Sequence, residues 1–343
     1  MWYPFVNLGK YITKLMILLT GATGFLGRET LKVLKREGLE VRALLRNPAT
    51  IIDDPLFKNV DIVEGDLSDI LSLERSIAGI DEVIHTAAMV SFRKRDREIM
   101  HKVNVEGTAN LVNVCLENPV HKFVHVSSIA ALGRGLDQGL IDESSTWKAD
   151  GHNSGYAITK YLSEKEVHRG ISEGLPGVIA VPGLILGAGD WSHGSAKIFR
   201  MVAGGFPFYN TGSNGFVGVE DVAVALHTLL KSEYQQGEKF ILVSQNITYQ
   251  LLLSLIARCL GKKPPGIRVN KSVAQSIGIL SEAWAMITGG HPVLTFETAR
   301  TTSGKYTYDG NLYYRTFGKE YMPIELVIEE TAKQYLLYHG NNN

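Results

Sequence analysis

The chain is short of several things at once, and each shortage closes off a class of function. Across 343 residues there are only two cysteines, Cys115 and Cys259, far apart and outside any CxxC spacing. That argues against a disulfide framework or a thiolate zinc site, and the expected setting is reducing and cytoplasmic. Charge of one sign is missing too: 35 Lys+Arg balance 35 Asp+Glu. A neutral chain offers no broad basic field for nucleic acid and no polyacidic disorder, so a small molecule is the expected partner. Long apolar runs are lacking as well. The longest, Gly177 to Gly189, is broken by Pro182 and four glycines, short of the roughly 20 residues a membrane span needs. The N-terminal residues carry no small-residue cleavage pattern and read as an extension, 1–15, ahead of a first strand at Met16. No internal repeat or low-complexity block occurs.

What is present is a rhythm. Short apolar runs at Met16–Leu19, Glu40–Leu45, Val60–Glu64, Asp81–Thr86, Lys122–Ser127 and Gly177–Val181 alternate with longer amphipathic stretches. Strands alternating with helices imply βαβ units and a parallel sheet covered on both faces, a doubly wound Rossmann-type α/β domain over residues 16–182. After Pro182 the texture becomes loop-rich, and a smaller, mixed C-terminal substrate lobe is expected over 183–338. Segments after 215 return to the first domain, and 339–343 form a tail. Helices are expected at Glu220–Lys231, Thr248–Leu260 and Ser272–Thr288.

Directly after the first strand comes LLTGATGFLG, with glycines at 21, 24 and 27. A tight strand-to-helix turn needs Gly21, close approach of a pyrophosphate needs Gly24, and helix-on-strand packing needs Gly27. The helix that follows, placed at Arg28–Arg36, aims its amides and positive dipole end at the phosphates. This GxxGxxG spacing resembles that of the short-chain dehydrogenase/reductase superfamily. The resemblance places Thr23, Phe25 and Leu26 of the loop against the dinucleotide.

The end of the second strand distinguishes NAD from NADP, because a ribose diol wants a carboxylate and a 2′-phosphate wants a cation. Here the strand ends in Leu45 and Arg46. NADP(H) is therefore the favoured cofactor, on Arg46 with help from Arg42, and NAD(H) stays open. Asp66 and Leu67 resemble the family's third-strand motif, which implies contact with the adenine. His85-Thr86-Ala87-Ala88 resembles its fourth-strand signature, which implies that Thr86, Ala87 and Ala88 lie along the cofactor.

Two tyrosines have a lysine four residues later, Tyr156/Lys160 and Tyr161/Lys165. The five-residue step between them turns the second pair about 140° around the helix, so at most one pair faces the cofactor. Tyr156 and Lys160 are chosen, because YxxTK followed by Glu164 resembles the family's catalytic helix. A phenol with a pKa near ~10 is a poor acid at neutral pH, and a cation one turn away favours its phenolate. The third catalytic group is expected at a strand end, where Ser128 is preferred to Ser127 because its place five residues before Gly133 resembles that of the catalytic serine in the family's extended branch. Pro182, closing the sixth strand, is assigned to the cofactor. Asn104 resembles the family's central-helix asparagine, with support and proton relay both open. His121 and His125 lie in or entering a strand, too far apart to share a metal. His152 and His193 are read as loop residues.

The resemblance to the extended branch of the superfamily runs over residues 16–335. Its dihydroflavonol-reductase-like and 3β-hydroxysteroid-dehydrogenase-like members are favoured, implying an oxidoreductase acting on a ketone, aldehyde or alcohol. A nucleotide-sugar epimerase or dehydratase holding NAD is the alternative, and a non-catalytic dinucleotide sensor a third. Against the nucleotide-sugar group stand Val181 before Pro182 and the aromatic lobe residues Trp191, Phe199, Phe206, Phe208 and Tyr209 with Met201. Those residues suit an apolar substrate or simply the lobe's core. A homodimer through the central helices is open.

Overall fold

The computed structural model describes residues 15–133, 139–148, 153–270, 296–340 and, between the last two, residues 272, 273, 275, 276 and 278. The expected extension before Leu15, most of the expected Ser272–Thr288 helix, His152 and the last three residues lie outside them.

Seven strands form one parallel sheet: β1 (Met16–Thr20), β2 (Glu40–Leu45), β3 (Asp61–Glu64), β4 (Glu82–His85), β5 (Lys122–Val126), then β7 (Gly177–Pro182) and β11 (Gln236–Leu242). The short strand β6 (Leu140–Ile141) stands apart from it. The order across the sheet is β11-β7-β5-β4-β1-β2-β3, every pairing parallel. Strand order reverses between β1 and β4, and the crevice outside the carboxyl ends there is where open α/β sheets bind ligands.

Both faces are covered, which is why these strands read as apolar runs. On one side α1 (Phe25–Arg36) and α7 (Val219–Leu230) close over Ile17, Leu19, Val124 and Val178. On the other, α2 (Ile70–Ile77), α4 (Gly107–Glu117) and α5 (Gly155–Ser172) cover Leu18, Val83, Phe123 and Ile179. Helix α3 (Arg97–His101) leads into α4 through a π-helical turn at Lys102–Glu106.

Past Pro182 the chain passes close to another stretch of backbone at Gly183, where a Cβ would lie 2.7 Å from the Gly215 carbonyl oxygen. A second sheet follows, β8 (Leu184–Leu186) beside β10 (Ser213–Gly218) and β10 against β12 (Gln245–Thr248). It packs with α6 (Ala196–Ala203), α8 (Tyr249–Cys259) and the C-terminal helix (Ile324–Gly340) around Phe199, Phe216, Leu252 and Ile328. Two-residue strands complete the lobe: β9 (Phe208–Tyr209) pairs with β13 (Ile267–Arg268), and β14 (Thr307–Tyr308) with β6. Helix α9 (Phe296–Thr302) lies between β13 and β14. Strand β11 and helix α7, both after residue 215, return to the first sheet and its cover.

One expectation needs correction here, and one pair of open alternatives narrows. Helix α1 begins at Phe25, not Arg28, because Gly24 takes the extended backbone of an N-cap and its carbonyl accepts the Arg28 amide at 2.9 Å. Trp191 and Phe199 are buried, with Met201 and Tyr209 packed against the same cluster. They are the lobe's core rather than a substrate wall. Phe206 and Phe208 are half-buried, edge to face with each other.

Candidate active site

The glycine turn is shaped partly by the protein and partly for something else. Gly21 has φ +74°, and a Cβ there would lie 2.7 Å from the Ala87 nitrogen. At Gly27 a Cβ would come within 2.0 Å of the Gly21 carbonyl oxygen, so the helix could not rest on the strand. Gly24 differs: it is exposed, its backbone is ordinary, and a Cβ would meet only the Gly21 oxygen, at 3.2 Å. No side chain caps this helix start, so an open space faces amides that an anion can accept from. A dinucleotide pyrophosphate fits that arrangement. Thr23 is exposed here, while Phe25 and Leu26 are half-buried in the first turn.

Arg46 stands exposed just past β2. Arg42 does not join it. Its guanidinium donates to Asp61 at 2.6 Å and to the Ser76 and Ala78 carbonyls at 3.1 and 2.6 Å, so its assistance at a 2′-phosphate is withdrawn: it is spent holding the end of α2. Asp66 accepts from the amide and hydroxyl of Ser68 at 2.8 and 2.7 Å. Burial pushes its carboxyl up, but those bonds and the charges of Arg46 and Lys102 outweigh it and hold the pKa below the usual range. Leu67 is buried beneath Gly107, where a Cβ would lie 2.8 Å from it. Thr86 donates to the Thr20 carbonyl at 2.8 Å, which sets Ala87 against Gly21, and Ala88 is exposed. Pro182 is buried at the end of β7.

The two serines after β5 diverge. Ser127 is buried and donates to Glu164 of α5 at 2.6 Å. Ser128 is half-buried, and its hydroxyl accepts from the Ala130 amide at 3.2 Å, capping a short turn. Helix α5 starts at a Ser154 cap, whose hydroxyl accepts the Ala157 amide at 3.1 Å. Tyr156 sits half-buried in that first turn, its ring edge-on to Phe92 at 6.0 Å. One turn on, Lys160 is buried and its Nζ donates to the Val126 carbonyl at 2.6 Å. This bond draws the helix of Tyr156 onto the strand end that continues into Ser128, joining groups 28 residues apart in sequence.

Burial pulls the Lys160 ammonium down to about 8, with Glu164 opposing. His85 and His125, also fully buried, are pulled down by burial and by the Lys160 charge, His85 to about 3. Both imidazoles are therefore neutral at pH 7 and do not compete with the lysine's charge. Tyr161 stacks on Trp147 at 4.5 Å with Lys165 over its ring, on another face of the helix from Tyr156. Asn104, in the π-helical turn, donates to the Met89 carbonyl at 2.9 Å and the Thr159 hydroxyl at 3.0 Å and accepts the Met89 amide at 2.7 Å. Those bonds favour support, tying the loop after β4 to α5. His121 is exposed while His125 lies tilted beside His85, ring centroids 5.4 Å apart, and His193 is an exposed partner of Asp190. Among the described residues no group of three metal-ligating side chains occurs.

Three residues of this site carry no signal in a linear reading. Phe92 lies in an aperiodic loop, Lys239 reaches Glu164 from β11, and Glu297 meets α5 from the far lobe. Each depends on a contact between distant segments.

A glycine turn at a switch point of a parallel sheet, with a serine after β5 and a tyrosine–lysine pair on α5, is the arrangement expected of an extended short-chain dehydrogenase/reductase. Residues 17–242 match the NAD dependent epimerase/dehydratase family, to which the chain belongs. It is similar to sterol demethylase protein B of Methylococcus capsulatus, 31% identical over 268 residues, covering 77% of this chain and 80% of that one. A putative dihydroflavonol 4-reductase of Synechocystis is 28% identical over 331 residues, 94% of each chain. The solved structure of gox2253 superposes with a TM-score of 0.79 at 30% identity, over 95% of this chain and 98% of that one. The expected fold, family and enzyme class are thus borne out, and no helix among the described residues is long and apolar enough to cross a membrane.

Proposed function

We propose that the protein is an NADP(H)-dependent oxidoreductase that reduces a ketone or aldehyde, or oxidises the alcohol, with Ser128, Tyr156 and Lys160 as its catalytic residues. The observation that carries this is the Lys160–Val126 bond, which brings the tyrosine helix and the serine strand end to one place. The putative dihydroflavonol 4-reductase similarity supports a free carbonyl as substrate, and Arg46, unaccompanied by a strand-end carboxylate, supports NADP.

The residues divide the work. Amides at the start of α1 hold the pyrophosphate, Arg46 the 2′-phosphate, and Asp66 the adenine side, with Thr86, Ala87, Ala88 and Pro182 along the nicotinamide half. When bound, NADPH supplies the hydride. Ser128 and Tyr156 hydrogen-bond the carbonyl oxygen, and Tyr156 gives it a proton. Lys160, cationic at pH 7 with its pKa about 8, favours the phenolate left on Tyr156. Its remaining N–H groups are available to ribose hydroxyls.

The test is titration of cofactor-stripped protein with NADPH and NADH, then turnover of Tyr156→Phe. Preference for NADPH that Arg46→Ala abolishes, with turnover reduced about 10²-fold or more in Tyr156→Phe and affinity within a few fold, is expected. Protein that keeps NAD through purification and ignores NADPH instead identifies an epimerase or dehydratase.

A further inference from the structure

We propose that Glu297 is a positioning residue for Tyr156, a latch by which the substrate lobe holds the first turn of the tyrosine helix in register. The inference rests on the reading of Tyr156 as the proton donor.

Glu297 lies in the first turn of helix α9, and only 4% of it is exposed. A carboxylate so buried needs partners for both oxygens. One takes the guanidinium of Arg97 in α3; the other accepts the backbone amide of Gly155, the first residue of α5, at 3.3 Å. One turn further along α9, Arg300 donates to the Asn153 carbonyl at 3.2 Å, just ahead of the same helix. The fit is tight: a Cβ at Gly155 would lie 3.1 Å from Cγ and 3.2 Å from Nε of Arg97, so the arginine stem lies across the helix start.

A helix needs its first amides satisfied, and Ser154 already serves Ala157 from next door. Glu297 comes from 142 residues away and from the other lobe, so its bond reports where that lobe is. Tyr156 lies between the two capped amides. The segment leading into Arg97 reaches the tyrosine from the other side. Asp96 accepts from Ser91 at 2.6 Å and Arg93 at 2.7 Å, closing the loop that sets Phe92 edge-on to the Tyr156 ring. The turn that carries Tyr156 is thus held by the Arg97–Glu297 pair, and its ring packs on a loop closed by Asp96, the residue just before Arg97. Proton donation depends on placement, where an error near 1 Å can cost about 10² in rate. The latch therefore acts on kcat through Tyr156.

The experiment uses holoenzyme with saturating NADPH and 1-phenylpropane-1,2-dione as the probe carbonyl, in Glu297→Ala, Glu297→Gln, Arg97→Met, the Glu297→Ala/Arg97→Met pair and Tyr156→Phe. Glu297→Ala and Arg97→Met are each expected to lower kcat about tenfold with KM for NADPH within twofold. Glu297→Gln, whose amide nitrogen cannot accept from the second donor, should fall between, and the double variant should be no worse than the singles. Amide exchange over residues 155–158, read on the same proteins, should quicken about tenfold in Glu297→Ala while β1 and β4 stay protected. That reading decides the latch even where the dione is not turned over: unchanged protection overturns it. An unchanged kcat in Glu297→Ala alongside a crippled Tyr156→Phe overturns the latch and leaves the proton donor standing. Turnover indifferent to Tyr156→Phe overturns both.

Discussion

Substituting Gly24 and Gly27 separately by alanine tells a glycine required by a ligand from one required by the fold. At Gly27 the new methyl carbon would sit 2.0 Å from the Gly21 oxygen and 2.9 Å from the Ala22 Cα, both backbone atoms. Helix α1 would have to lift from β1. Overpacking of this kind costs roughly 1–3 kcal/mol or more, and about 1 kcal/mol moves the melting temperature of a large domain by roughly 2–4 °C. A loss on the order of 5–10 °C without cofactor is expected for Gly27→Ala. At Gly24 the backbone is allowed to any residue and the closest approach is 3.2 Å, so apo stability should change by about 1 kcal/mol or less, the ordinary difference between Gly and Ala at an N-cap. On the proposed reading its methyl would stand in the path of the cofactor's pyrophosphate. The assay is thermal melting with and without NADPH. At a hundredfold excess over its dissociation constant a ligand stabilises the native protein by about 2.7 kcal/mol, and Gly24→Ala should lose that increment while melting near the wild type alone. Gly24→Ala that binds NADPH with unchanged affinity, or Gly27→Ala that melts with the wild type, would refute this division of roles.

Other substitutions probe neighbouring parts of the site. Ser127→Ala removes a hydroxyl that donates to a buried carboxylate and should cost roughly 1–3 kcal/mol in a denaturant melt; Ser128→Ala, which loses only the 3.2 Å cap on the Ala130 amide, should cost about 1 kcal/mol or less and lower turnover. Tyr161→Phe keeps the stack on Trp147, so turnover within twofold of wild type is expected, and a loss equal to that of Tyr156→Phe would contradict the choice of pair. Asp221 is pushed up to about 6, chiefly by burial. A raised folded-state pKa means that the native protein binds the extra proton between pH 4 and 6, so stability falls as pH rises through that window. Asp221→Asn should therefore be the more stable variant at pH 7, on the order of 1 kcal/mol after discounting for partial exposure, with the gain gone at pH 4. Melting curves at the two pH values check it.

Local chemistry made much of this protein legible before any fold was known. Glycines at three-residue spacing after an apolar run mark a phosphate turn because backbone freedom is a property of the residue itself. A tyrosine and lysine four apart meet because a helix has 3.6 residues per turn. Period and apolar runs likewise announced a parallel sheet, though not that α1 starts at Phe25, which depends on how Gly24 is held.

What tertiary structure alone decided concerns partners far apart in the chain. Arg42 reads in the sequence as a helper for Arg46, yet Asp61 and the end of α2 claim it. Adjacent serines acquire opposite fates because Glu164 lies beneath one of them, and Trp191 and Phe199 prove to be core because several helices converge on them. Glu297 has no motif at all: its importance arises where α3, α5 and α9 meet. Sequence by itself determined which residues could do the chemistry, since that follows from side-chain type and local period. Only the packed chain decided which were free to do it, because a polar group's availability depends on who else has already bonded to it.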